Sequence, residues 1–443
     1  VFELHTVFEG EPYMHRRLLF VLLATLLASL LAISAVAAQD INLRITWYND
    51  GTEGEALRAA LDAFEAANPG ITVSLEDIGY ADPNIYHSTI QSQVEAGSPP
   101  DLARVNNVSL FVGDYLDLSS LTADADYWLT NFSPAVLDSL RAGAEDTGVY
   151  GFPLQFTITA PFINRTLFEQ AGIDVPSDTN EAVTWDEWAA AAQQVAEATG
   201  TPWAIAYEPR GQRFWGFSIS EGGQWFNEEG VFTVDTPGFR SAAEKLIGWT
   251  QDGLSDPQIW ANLPDGPRIA REQFIAGQVV FLYSGSFAVG GLASGIGENF
   301  DWWAVPNPSG PGGSTGSPGG SLLVGFSGTQ HPEAVAALMD YLVQEDVLSQ
   351  FSIASSFLPG HLGLAAQGLD YTANAEILQA LSAEIPKINE QAYRLQYSQF
   401  AFTYNRPIDG RLAQVIAGEL SLDEAVAAIQ KDVDDAIANV NAG

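Results

Sequence analysis

The sequence predicts an α/β protein built as two lobes, on three observations. At 443 residues the chain exceeds what one hydrophobic core usually serves. Its hydrophobic fraction of 47% is too high for a disordered acidic chain, so packed cores are expected. Its first regular segments read strand, helix, strand, a crossover that favours parallel pairing.

The elements follow in order. From Met14, Arg16 and Arg17 form a short positive region, residues 18–33 an apolar stretch, and Ala35-Val36-Ala37-Ala38 a small-residue cleavage site. This reads as an export leader cut after Ala37 or Ala38, the alternative being an uncleaved anchor. Residues 1–13 precede a plausible start at Met14. Ile41, Leu43, Ile45 and Trp47 then alternate with polar residues, as in a strand with one buried face. Leu57, Ala60, Leu61, Phe64 and Ala67 share a helical face that Asn68-Pro69-Gly70 stops, and Ile71, Val73 and Leu75 alternate again. A second helix over residues 85–95 leads into a short strand at 101–105.

Thr184 and Glu187 fit a capping box, with Gly200 ending that helix. Thr236-Pro237 and His331-Pro332 each open a further helix. Ser421 and Glu424 form a last capping box. Residues 306–320, PNPSGPGGSTGSPGG, read as a flexible connector or loop between lobes or beside a cleft. Ligand sites in such a rhythm are expected at the carboxyl ends of strands.

Charge and composition narrow the chemistry. With 18 Lys and Arg against 55 Asp and Glu, the formal charge of −37 argues against a nucleic-acid partner, which needs clustered basic residues. Without residues 1–38 the balance is 16 basic against 52 acidic residues, or −36. The chain has no Cys, which excludes disulfides, thiolate catalysis, Cys-ligated metals and a lipid anchor on Cys. After the leader only His87, His331 and His361 remain, expected as surface or capping residues. No metal and no cofactor is expected.

Several stretches together resemble the extracellular solute-binding proteins of carbohydrate ABC importers. The most specific is VYGFPLQFTITAPFINRTLFEQAGIDVP (149–176), followed by TWDEWAAAAQQVA. PPDLARV (99–105), FIAGQVVFLYSGSFAV (274–289) and GGSLLVGFSGTQHPEAVAALMDYLV (319–343) follow the family's order across the chain after the leader. Two departures stand out: Ser321 lies where the family often carries an aromatic, and the missing Cys rules out the lipoprotein form of many members. The resemblance implies two α/β lobes joined by hinge segments, with ligand in the cleft between them. It implies lobe 1 over residues 39–152 plus about 304–345, and lobe 2 over 153–303 plus about 346–443. It implies a sugar as ligand, a membrane permease as partner, an exported monomer and no catalysis.

Candidate ligand residues follow. Trp47, Tyr48 and Asn49 end the first strand, with core packing the alternative for Trp47. Asn106 and Asn107 follow the strand LARV, where a turn is the alternative. Gln155 lies where residues 150–156 cross to the second lobe. Arg210 suits vicinal hydroxyls, with Glu208 as its structural partner or in a surface salt bridge. Trp215 lies in the same mixed segment. Ser284, Ser286 and Phe287 follow the strand VVFLY, and at most one of Trp302 and Trp303 faces the cleft. Gly319, Gly320 and Ser321 let backbone approach ligand closely. Tyr283 and Trp225 are expected in packing.

The charge balance suits a neutral sugar held by aromatic faces and amides. Alternatives are the same fold binding a polyamine or peptide, and a secreted glycoside hydrolase with two opposed carboxylates.

Overall fold

The computed structural model describes residues 40–49, 53–78, 83–143, 145–263, 265–398 and 400–442. The expected leader lies outside the described residues.

Strand β1 (Ile41–Trp47) pairs in parallel with β2 (Ile71–Asp77), and helix α1 (Glu53–Ala67) makes the crossover. The alternation explains the placement: Leu43, Ile45 and Trp47 are buried in one core with Leu57, Leu61 and Phe64 of α1. Gly70, at φ 99°, supplies the left-handed turn into β2. Helix α2 (Pro83–Glu95) leads to β3 (Leu102–Val105), also parallel to β1.

Strand β4 (Gly151–Asn164) is the longest, at 14 residues. After it come β5 (Trp203–Tyr207), β6 (Val279–Gly285), β7 (Trp302–Ala304), the pair β8 (Ser309–Gly310) and β9 (Gly313–Ser314), and β10 (Pro318–Gly325). The main sheet runs β2-β1-β3-β10-β4-β6-β5. The N-terminal half of β4 pairs antiparallel with β10, while its C-terminal half pairs with β6 and β7. One strand therefore serves both lobes.

Each lobe has its own packing. The first is built around β1 to β3, with Val335, Leu338 and Met339 of a helix at Pro332–Leu342 packed onto it. Val347, Leu348 and Phe351, on the helix Glu345–Ser355, pack into the same core. The second lobe buries β5 and β6 with Trp185, Trp188, Trp225, Trp249 and Trp260. Its helices include α3 (Trp185–Thr199), α4 (Gly211–Ser220), α5 (Pro237–Gln251), α6 (Gly266–Ile275) and α7 (Ala401–Ile416). The Thr184–Glu187 capping box forms in both directions, and Gly200 closes α3 in the left-handed region. Thr236 caps α5 by accepting from Phe239 N–H.

Two expectations change. The 306–320 stretch is held in place, with Thr315, Gly316, Ser317 and Pro318 buried. Its backbone bonds to both neighbours, Ser309 N–H donating to Val183 and Gly312 N–H to Ser220. Its glycines serve close packing: a Cβ on Gly316 would sit 2.3 Å from the Thr159 carbonyl oxygen. His87 is also not at the surface; it is buried among the rings of Tyr86, Phe111 and Phe402. His361 does cap a helix, its Nδ1 accepting from Leu364 N–H.

Gly320 combines a close backbone approach to β4 with a left-handed backbone. Its φ is +132°, and a Cβ there would lie 2.3 Å from the Gln155 carbonyl oxygen. Substitution Gly320→Ala should cost about 1–3 kcal/mol in backbone strain alone. Urea denaturation against wild type checks this, and an unchanged midpoint would contradict it.

Candidate functional site

A cavity of about 610 Å³ opens where β4 and β10 cross between the lobes. Its floor is Gln155, Thr157, Ile158 and Thr159 of β4 with Ser317 and Gly320. The register between β4 and β10 slips at Ser321/Leu322, so a bulge lies beside this floor. Lobe 1 contributes Tyr48, Asn49 and Asn106; lobe 2 contributes Arg210, Gln212, Arg213, Arg268, Arg271, Phe287 and Phe402, among others. The volume is that of a small-molecule site.

The lobe 1 wall hangs on Arg104. This fully buried guanidinium donates from Nε to Ser321 Oγ at 2.8 Å, and from Nη1 to the Tyr48 carbonyl and Glu53 Oε1 at 2.6 and 2.7 Å. It also lies 3.9 Å over the Tyr48 ring. Tyr86 meets that ring edge-on at 4.9 Å. Tyr48 is thus clamped at the end of β1, with little freedom to leave the cavity wall. Asn49 is held as firmly, accepting from Trp47 Nε1 and Gly54 N–H and donating to Asp77 Oδ2 at 2.7 Å.

The lobe 2 wall hangs on Glu208. It is fully buried, with Arg213 Nη2 at 2.8 Å and Arg271 Nε at 3.7 Å. The Arg213 and Arg271 guanidiniums lie 5.0 and 5.8 Å from the centre of the Phe287 ring. Burial lowers the pKa of Arg213, and Glu208 opposes that shift. Gln212, next in the chain, donates to the Pro318 carbonyl at 2.8 Å and to Gln396 Oε1 at 2.7 Å. Gln155, only 2% exposed, has no hydrogen-bond partner for its Oε1.

Seven sequence candidates come together here: Tyr48, Asn49, Asn106, Gln155, Arg210, Phe287 and Gly320. The others lie elsewhere. Trp47 continues the buried alternation and is core. Asn107 precedes a short turn of helix and accepts from Ser109 Oγ at 3.1 Å. Trp215 is fully buried on α4, a helix buried on all faces. Ser284 is buried within β6, and Ser286 Oγ accepts from Ile158 N–H at 3.1 Å. The Ser321 hydroxyl is used by Arg104. Trp302 and Trp303 pair with β4 and do not line the cavity. Glu208 is a buried partner of Arg213 and Arg271, not a surface residue, and Gly320 accommodates β4 backbone.

Sequence reasoning missed Arg213, Arg268 and Arg271. A signal was present: Arg268 and Arg271 are three apart within one helix, which puts both on one face, and Arg213 follows Arg210 at the same spacing across the start of α4. In a chain with only 18 Lys and Arg, two such closely spaced pairs stand out.

Comparison with known proteins gives three findings. The profile of the family described as bacterial extracellular solute-binding protein matches residues 48–347. A Brucella abortus (strain 2308) protein that carries a binding-protein name is 25% identical over 368 residues, covering 81% of this chain and 85% of its own. Among solved structures, the GacH receptor of Streptomyces glaucescens, determined unliganded and with acarbose, superposes with a TM-score of 0.74 at 21% identity. That match covers 89% of this chain and 99% of the receptor. An ABC substrate-binding protein of Listeria monocytogenes in complex with cycloalternan gives 0.70 at 20% identity, covering 90% and 99%. These likenesses establish the two-lobed fold.

Two outcomes test the walls. Removing the Arg104 charge by Arg104→Met takes from the buried Glu53 the guanidinium that lies 2.7 Å from it, and should destabilise the fold by about 3–5 kcal/mol. Chemical denaturation measures it; a loss below about 1 kcal/mol would show that the pair is not sealed from solvent. Asp409 of α7 has a buried Oδ1, and burial pushes its pKa from 3.8 up to about 7, against the lowering effects of Arg210, Arg213 and the Gly211 N–H. The folded chain then holds a proton between about pH 4 and 7 that the unfolded chain releases. Its contribution to stability is full below pH 4 and is lost as pH rises through 7. The melting temperature of Asp409→Asn should therefore fall less than that of wild type between pH 5 and 8, and parallel curves would sink this assignment.

Proposed function

The chain belongs to the bacterial extracellular solute-binding proteins, and we propose that it is the extracytoplasmic receptor of an ABC importer that captures a saccharide between its lobes. The observation that carries this reading is the cavity itself. It is lined from both lobes and from the strand they share, so a bound solute contacts both at once and favours their closed arrangement. The lining suits a sugar: Tyr48, Phe287 and Phe402 offer ring faces, and Asn49, Asn106, Gln155, Gln396 and Asn405 offer amides for hydroxyls. The acarbose-bound and cycloalternan-bound relatives in fold support the same class.

The reading extends to a permease partner, a monomeric exported protein and the lobe division expected from the sequence. The packing of residues 347–351 on the first core supports extending lobe 1 past 345. Binding without catalysis is part of the proposal. Asp265 is the carboxylate among the described lining residues, whereas glycoside hydrolysis needs two carboxylates flanking the bond. A polyamine is disfavoured by four guanidiniums in the same wall.

Calorimetry and thermal shift with a panel of mono- and oligosaccharides, with spermidine and a tripeptide as controls, test the reading. At least one saccharide should raise the melting temperature without being turned over. Tryptophan emission should respond weakly, because no tryptophan is among the described lining residues of the cavity. Stabilisation by spermidine or the peptide alone would overturn the proposal.

A further inference from the structure

We propose that the saccharide taken by this cavity carries a uronate carboxylate, received by Arg210 on the lobe 2 wall. The inference rests on the sugar-binding reading above and specifies its substrate class.

The chain has 18 Lys and Arg in 443 residues, yet four guanidiniums, Arg210, Arg213, Arg268 and Arg271, line one cavity. Three of them are already answered. Glu208 lies 2.8 Å from Arg213 and 3.7 Å from Arg271, and Arg268 lies 2.8 Å from Glu272 and 3.7 Å from Asp265. Arg210 has no side-chain hydrogen bond or ion pair among the described residues, and it faces the cavity from the N-terminus of α4. That helix end adds its own positive potential. Asp409, the remaining carboxylate nearby, binds the Gly211 N–H and is pushed toward its neutral form by burial.

The arithmetic favours a monoanion. Below about pH 7, where Asp409 is protonated, four guanidiniums against Glu208, Asp265 and Glu272 leave one unit of positive charge, which a carboxylate neutralises and a dianionic phosphate ester would overshoot. A guanidinium fork also matches carboxylate geometry with two parallel hydrogen bonds. Next to it the wall holds further polar atoms without protein partners. Gln155 Oε1 and Arg213 Nε are such atoms, on residues only 2% and 8% exposed, and both residues line the cavity. An amide oxygen accepts from a hydroxyl and a guanidinium N–H donates to an oxygen, the two needs of an acidic sugar.

The overall charge of −37 does not oppose this. Carboxylates beyond a screening length of about 8–10 Å contribute little at physiological salt, while Arg210 acts at contact distance. Local charge wins.

The test is calorimetry on the protein with trisaccharides that carry one terminal galacturonate, glucuronate or mannuronate on two neutral sugars, their methyl esters, neutral maltotriose and arabinotriose, and a monosulfated and a monophosphorylated trisaccharide. One free uronide should bind at least about 10-fold more tightly than its methyl ester, the worth of a charged hydrogen bond. Arg210→Gln should weaken that uronide by about 10- to 100-fold and the ester by less than about threefold, with an unchanged melting temperature showing that the variant folds. Equal or tighter binding of ester or neutral sugars would overturn the uronate proposal and leave the sugar reading standing. Preference for the sulfated or phosphorylated sugar would overturn the carboxylate assignment. Binding by no saccharide would overturn the sugar reading itself.

Discussion

The structure depends on one strand being shared. β4 spends its first half against β10 and its second against β6 and β7, so the two cores are joined through a continuous hydrogen-bonded backbone. A strand rises about 3.3 Å per residue, which lets 14 residues reach across both lobes. The crossing exposes β4 side chains to the space between lobes, and the bulge beside Ser321 lies at that point. Thr159 ties the crossing together: its N–H donates to the Ser317 carbonyl, its hydroxyl accepts from Ser317 N–H at 2.7 Å and pairs with Tyr283 at 3.2 Å. The glycine-rich stretch lies close because glycine has no side chain to hold it away.

Both cleft walls solve the same problem in the same way. A buried carboxylate, Glu53 on one side and Glu208 on the other, holds a buried guanidinium whose remaining face is turned to aromatic rings. Such a pair adds little net stability, because desolvation offsets most of its attraction. What it contributes is position. Arg104 reaches β1, β10 and the start of α1 at once, so the end of β1 cannot shift without breaking several bonds. Glu208, between Arg213 of α4 and Arg271 of α6, sets two helices from one point. A hinged receptor needs walls that stay rigid while the lobes move.

Much of the fold was legible because its signals are local. The alternation of β1, the stop at Asn68-Pro69-Gly70 and the Thr184–Glu187 box each depend on a few neighbouring residues. The site was legible in part. Tyr48 and Asn49 could be read because they lie where the β1 alternation ends. Trp215 could not be told from a ligand contact, since α4 is buried on every face and has no polar side to mark the core direction. Ser286 and Ser321 were misplaced for a related reason: a small hydroxyl suits a ligand and a buried backbone partner equally, and only tertiary contacts separate them. Residues 306–320 read as a flexible loop because close backbone packing at glycine leaves no pattern in sequence.

Net charge is a coarser signal than any of these. A balance of −37 over the whole chain pointed to a neutral ligand, but a sum over the surface carries no information about where the cations lie. Most basic residues here pair with exposed carboxylates on their own or neighbouring elements, as Arg240 does with Asp235 and Asp423, and Lys245 with Asp186. Such exposed pairs contribute little energetically. The four guanidiniums of the cavity lie where solvent is displaced by any solute that fills it, and there each unanswered charge counts in full. The decisive quantity is therefore the balance of charges within contact distance of the solute. In this cavity that balance is positive even though the protein as a whole is strongly acidic.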